Sequence, residues 1–263
     1  PERRMRFASL GSGSEGNALL ISAASGITAT TVMLDCGFGL REVESRLSHL
    51  HIDPKQLSGI IVTHEHQDHV GGVFRLARRH HIPVWLTHGS LEAVREEAVG
   101  VTVNLCRDSE PFVIGDLEIQ PYTVPHDARE PVQYTATDGI RKLGVLTDVG
   151  HSTPHLMNAL SACDALVLEF NHDTDMLAHS VYPTWLKARI GGQLGHLSNQ
   201  QSAEILRSLD RSRLRRVIAA HLSQKNNSPD KVRMAIDEVI RGSGIEVVVA
   251  DQAAGFAWLE CRE

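Results

Sequence analysis

The chain has 263 residues, of which 42% are hydrophobic and 22% charged; that composition supports a sizeable core and excludes disordered and fibrous classes. Its formal net charge of −6 excludes duplex nucleic-acid binding through global charge, so a nucleic-acid substrate would have to be held locally, by a small basic patch or by bound cations. No apolar run reaches membrane-spanning length and "PERRMRFASL" contains no signal-peptide core, so a cytoplasmic protein with no membrane partner is expected.

In chain order, "MRFASL", "NALLISAA" and "ATTVMLDCG" read as three strands separated by glycine turns. "GSGSEG" at 11–16 matches a dinucleotide-binding fingerprint, but a strand follows it where that fingerprint requires a helix. A hairpin turn bordering a site is the expectation there. "LREVESRLSHL" places Leu40, Val43, Leu47 and Leu50 on one helical face. "LSGIIVTH" is a buried strand, "GGVFRLARRHH" a helix and "IPVWLT" another strand. Strands return in "FVIGDLEIQPYTV", "VQYTATDG" and "IRKLGVLTD". A strand–helix alternation completes the chain: "DALVLEF", "SNQQSAEILRSL", "LRRVIAAH", "SPDKVRMAIDEVI" and "IEVVVA". Two halves of this kind predict two sheets back to back with helices outside. No Pro/Gly/Ser-rich linker interrupts them, so one domain over 1–263 is expected. Cys36, Cys106, Cys163 and Cys261 form no CxxC pair; buried reduced thiols are expected rather than a disulfide framework or a zinc knuckle.

The chemistry concentrates in "IVTHEHQDHVGG", residues 60–71. His64 and His66 alternate on an extended segment and so point the same way. Asp68 and His69 fall where the chain turns toward a helix, giving a second, adjacent set of donors. The stretch is not H-E-x-x-H, which excludes a zincin helix. Further donors stand just past predicted strands: His126 in "YTVPHD", Asp148 in "GVLTDVG" and His221 in "VIAAHLS". Imidazole and carboxylate together suit Zn, Mn or Fe without choosing among them.

H-x-H-x-D-H followed by a single His, Asp and His resembles the metallo-β-lactamase fold, a four-layer αββα sandwich. The resemblance implies two divalent metal ions: His64, His66 and His126 hold one, Asp68, His69 and His221 the other, and Asp148 bridges them. It further implies a metal-bridging hydroxide as nucleophile, with Asp68 catalytic as well as ligating. Asp35 in "VMLDCGFG" sits where the fold has an aspartate near the site; it either orients the ligand loop or caps the turn before "LREVESRL". "SLGSGSEGNALL", "HDAREPVQY", "LEFNHD", "YPTWLKARIGGQLGHLSN" and "HLSQKNN" resemble the YycJ (WalJ) branch of the fold, which implies an exonuclease-like phosphodiesterase of DNA or RNA.

His196, ahead of a helix that Ser198 or Asn199 would cap, is then placed to protonate a leaving oxygen or grip a phosphate, or else only packs in a turn. Ser198, Asn199, Ser223, Asn226 and Asn227 are candidate substrate contacts, with ordinary turn chemistry as the alternative. Among the remaining histidines, His172 is the best placed to line a cleft. "RSRLRR" is a backbone contact or, more simply, a solvated face. Competing functions are a two-metal hydrolase of a small ester (lactone, thioester, cyclic phosphodiester) with weak β-lactamase promiscuity, a di-iron redox module, and a non-catalytic binding protein. The oligomeric state stays open, a homodimer included.

Overall fold

The computed structural model describes residues 3–262. Its strands are β1 (Arg4–Gly11), β2 (Ala18–Ser25), β3 (Thr28–Leu34), β4 (Leu57–Ile61), β5 (Val84–Leu86), β6 (Val103–Leu105), β7 (Phe112–Ile114), β8 (Leu117–Thr123), β9 (Val132–Thr137), β10 (Lys142–Leu146), β11 (Ala165–Glu169), β12 (Arg216–Ala220), β13 (Glu246–Val249) and β14 (Phe256–Glu260). Its helices are α1 (Leu40–His49), α2 (Gln67–Val70), α3 (Val73–His80), α4 (His88–Ala93), α5 (Pro154–Ala159), α6 (Thr174–His179), α7 (Thr184–Ile190), α8 (Asn199–Ser208) and α9 (Pro229–Ile240).

The strands form two mixed sheets, ordered β14-β1-β2-β3-β4-β5-β6 and β13-β12-β11-β10-β9-β8-β7. Alternation along each strand explains why both faces are covered. In β2, Leu19, Ile21 and Ala23 enter the cluster between the sheets, while Ala18 and Leu20 face the α1/α3 side. In β4, Ile61 points inward and Ile60 outward. The second sheet repeats the pattern: Val145 and Val167 pack between the sheets, and Leu146, Leu166 and Leu168 pack under α5, α8 and α9. Strands buried on both faces read as continuous apolar runs, which is how they appear in the sequence. The order helix, sheet, sheet, helix is the αββα sandwich.

β3, β4, β5 and β6 run parallel, as do β10, β11, β12 and β13. The loops leaving parallel neighbours emerge at the same edge of a sheet, and that geometry gathers the donor side chains. "GSGSEG" is the turn between antiparallel β1 and β2. β14, which returns to pair with β1, and the short helices α4, α5, α6 and α7 were not anticipated from the sequence. The four cysteines are buried thiols; burial pushes that of Cys36 up to about 12. Among the described residues no helix is long and apolar enough to cross a membrane.

Candidate metal centre

Each donor leaves a strand or opens a helix at this shared edge. β4 runs into the loop carrying His64 and His66, and α2 carries Asp68 and His69. His126 follows β8, Asp148 follows β10 and His221 follows β12. Asp35, Asp148 and His221 all take left-handed backbone, with φ of 60°, 51° and 56°. Such conformations cost roughly 1–3 kcal/mol each and collect at functional sites. Here they turn the side chain out of the strand direction and into the site.

The donor atoms fall into adjoining groups. His64, His66 and His126 offer ring nitrogens within 4.8 Å of one another, as do Asp68, His69 and His221 with their nitrogens and carboxylate oxygen. Asp148 stands between the groups. Its Oδ2 is 3.2 Å from His69 Nε2, and its Oδ1 is 3.5 Å from His221 Nε2 and 3.9 Å from His126 Nε2.

The opposite ring nitrogen of each of the five histidines meets a protein acceptor. His69 Nδ1 donates to Asp35 Oδ2 at 2.7 Å and His221 Nδ1 to Glu169 Oε1 at 3.2 Å. His64 Nδ1 donates to Thr63 Oγ1 at 2.9 Å, which itself donates to Asp35 Oδ2 at 2.7 Å. His126 Nδ1 donates to the Gly195 carbonyl and His66 Nε2 to that of Asp127, each at 3.2 Å. Holding one nitrogen this way fixes the tautomer and aims the other, as metal-binding histidines require. Asp35 therefore orients the ligand loop; the capping alternative fails, because α1 has Gly39 at its N-cap and no side-chain cap bond.

The donor set fits metal ions. His64 Nε2, His221 Nε2 and Asp148 Oδ2 are buried and make no hydrogen bond. An unsatisfied buried polar atom costs roughly 1–3 kcal/mol, and each of these three belongs to a donor group that could hold a metal ion. The protonation pattern agrees. Burial disfavours charge on His221, but Asp148, Asp68 and Glu169 outweigh it and raise the imidazole to about 10. The same competition, led by Asp148 and Asp35, lifts His69 well above its ordinary value. Burial and the neighbouring His69 charge drive His64 far down. The carboxylates around His69 and His221 thus favour positive charge at the cluster, which metal ions would supply.

His196 lines the cleft beside these groups. Its Nδ1 donates to Glu169 Oε1 at 2.9 Å. Burial opposes its charge, but the Glu169 carboxylate prevails and raises its pKa. Glu169 itself is buried without exposure. It also accepts from the Asp148 N–H at 3.0 Å and the Leu197 N–H at 2.8 Å. Burial pushes its carboxyl up, yet His196 and His221 hold it down at about 2. One carboxylate therefore positions Asp148, His196 and His221 together. The sequence reading passed over Glu169, although a glutamate ending the apolar run "DALVLEF" was the available signal. Asn17 was also missed: its backbone N–H donates to the Asp68 carbonyl at 2.8 Å, so the glycine turn braces the ligand loop. From the same turn Ser12 Oγ accepts from the His221 N–H at 2.9 Å, and Ser14 reaches the cleft.

Of the expected substrate contacts, Ser223 lines the cleft. Ser198, Asn199, Asn226 and Asn227 lie outside that lining. Ser198 caps α8 through a capping box with Gln201. Asn199 and Asn227 hydrogen-bond each other at 2.8 and 2.9 Å, and Asn227 also donates to the Phe170 carbonyl. Asn226 is fully buried. His172 is likewise buried, outside the cleft lining. "RSRLRR" is spent on structure, with Arg213 paired to Asp164 and Arg216 to Glu246.

The model of the beta-lactamase superfamily domain matches residues 30–222. The chain is 31% identical over 251 residues to the exodeoxyribonuclease YycJ of Bacillus anthracis, covering 92% of each chain. It is 27% identical over 261 residues to the exodeoxyribonuclease WalJ of Streptococcus pneumoniae, covering 96% of each. Among solved structures it is similar to the metallo-beta-lactamase fold protein YhfI from Bacillus subtilis, with a TM-score of 0.75, 18% identity, and coverage of 98% of this chain and 99% of that one.

Proposed function

The chain belongs to the beta-lactamase superfamily, and on that premise we propose that it is a two-metal phosphodiester hydrolase acting on nucleic acid, DNA first, as an exonuclease. The observation that carries the reading is the convergence of His64, His66, His126, Asp68, His69 and His221 on Asp148, with their remaining ring nitrogens tied to acceptors. The names of the 31% and 27% identical relatives support the nucleic-acid substrate.

His64, His66 and His126 would hold one ion, Asp68, His69 and His221 the second, and Asp148 would contact both. Bound there, divalent ions such as Zn or Mn supply Lewis acidity toward a phosphoryl oxygen and activate water near neutral pH. The chain's own residues do the rest. Asp68, lining the cleft and hydrogen-bonded to the imidazoles beside it, keeps an ionised carboxylate that would help hold the second ion. His196, with Nδ1 fixed on Glu169, presents Nε2 to the cleft and delivers a proton to the departing sugar oxygen. Ser223 lies within the cleft as a donor to the substrate.

The test is a panel of substrates with the protein loaded with Mn or Zn. Bis(p-nitrophenyl) phosphate and end-labelled oligonucleotides should be cleaved, with β-lactams turned over poorly or not at all. Efficient lactone or thioester hydrolysis without phosphodiesterase activity under either metal would replace this reading with the small-ester one.

A further inference from the structure

The segment between β11 and α8 carries side chains that the chemistry above leaves unused. We propose that α7 and the turn before it form a stacking platform for unpaired bases next to the scissile phosphodiester, with Trp185 as its aromatic face and Arg189 and Lys225 as backbone contacts. This deepens the phosphodiesterase reading and rests on it.

Four observations converge. The cleft over the donor cluster is about 260 Å³, below the usual size of pockets that engulf a whole ligand. A phosphate and its sugar can enter it, and the neighbouring bases must lie on the rim. Tyr182, Leu186, Arg189 and Ile190 form one wall of that cleft. Trp185 stands one helical turn before Arg189 on the same flank, and it is 67% exposed. An indole is a large apolar surface to leave in water, and this one is carried by the helix whose Leu186, Arg189 and Ile190 line the cleft.

Positive charge is interleaved with these rings. Arg189 is 56% exposed and gives its Nε to Asp127 Oδ2 at 2.7 Å; a guanidinium has five N–H donors. The Lys225 ammonium lies 5.7 Å from the ring centroid of Tyr182, a residue of the same wall. Aromatic rings alternating with cations along a groove are the chemistry that holds single strands without regard to sequence. In a chain of net charge −6, this is a local patch of the kind such a substrate needs.

The platform is also held at a fixed distance from the reacting groups. Lys187 Nζ donates to the Ala178 carbonyl at 2.7 Å, tying α7 to α6. The Ile190 carbonyl accepts from the His196 N–H at 2.8 Å. A base inside a duplex already has both faces stacked, so Trp185 selects an unpaired end.

The experiment uses the full, metal-loaded chain and fluorescence anisotropy with a labelled phosphorothioate oligodeoxynucleotide, which resists cleavage. The strands are a single strand and an abasic strand of equal length. Trp185→Ala should weaken single-strand binding by about tenfold, and Trp185→Phe should restore most of it. The abasic strand has no base to stack, and its affinity should change by less than about twofold. An unchanged affinity in Trp185→Ala, an equal loss on both strands, or a wild type that binds neither would overturn the platform. Wild-type turnover of bis(p-nitrophenyl) phosphate reports on the chemistry separately. Turnover with no Trp185 effect defeats the platform alone; base-dependent binding without turnover defeats the phosphodiesterase reading and leaves the platform.

Discussion

At the scale of single residues, the proposal gives His196 and Asp148 different roles, and two substitutions separate them. His196 lines the cleft, and Glu169 holds its Nδ1. A sugar alkoxide is a poor leaving group and needs a proton, whereas nitrophenolate needs little help. His196→Ala should therefore lower kcat on an oligonucleotide by roughly 10²–10⁴-fold and spare much of the turnover of bis(p-nitrophenyl) phosphate. Equal losses on the two substrates would remove the acid role. Asp148 is buried and left-handed, a conformation that asparagine also tolerates. Asp148→Asn keeps that backbone and removes the charge shared between the two ligand groups. Turnover should fall by roughly 100-fold or more, with the metal-free melting temperature moving only a few degrees. Near-normal turnover in this variant would show that the carboxylate does not serve both groups.

At the scale of elements, the site depends on how closely the loop after β3 packs on the ligand loop. A Cβ on Gly72 would lie 1.9 Å from the Phe38 carbonyl oxygen, and one on Gly37 would lie 2.0 Å from that of Asp68. Both obstacles are backbone, which cannot swing aside. Gly72→Ala should cost roughly 1–3 kcal/mol in denaturant unfolding and weaken metal binding, because Asp68 and His69 move with the displaced loop. Gly39, with nothing within 4 Å of its Cβ position, is the control, and its alanine variant should lose less than about 1 kcal/mol. A Gly72→Ala protein as stable as the Gly39→Ala one would refute the close-packing argument. The same scale explains what was legible in the sequence. Strands such as β2, β4, β11 and β12 are buried on both faces, so apolar runs with polar ends reveal them directly. Helices α5, α6 and α7 are six or seven residues long, too short for a 3.6-residue period to stand out. β14 owes its existence to pairing with β1 from the far end of the chain, a contact no local pattern encodes.

At the scale of the whole molecule, the donors were readable because they cluster locally or end strands, while of the residues that aim them only Asp35 was. Glu169 meets His196 and His221 across 27 and 52 positions of sequence, and Arg189 meets Asp127 across 62. Asn199 and Asn227 carried the right chemistry for substrate binding, and the fold used it to tie α8 to the loop after β12. Under the two-metal proposal, the two sandwiched sheets would hold two cations around Asp148. The most direct measurement titrates metal into the metal-free protein and follows, on the same samples, ions bound per chain and turnover of bis(p-nitrophenyl) phosphate. Turnover should saturate only as occupancy reaches two ions per chain. Full turnover at one ion per chain with all seven donors intact, or none at any occupancy, would contradict it.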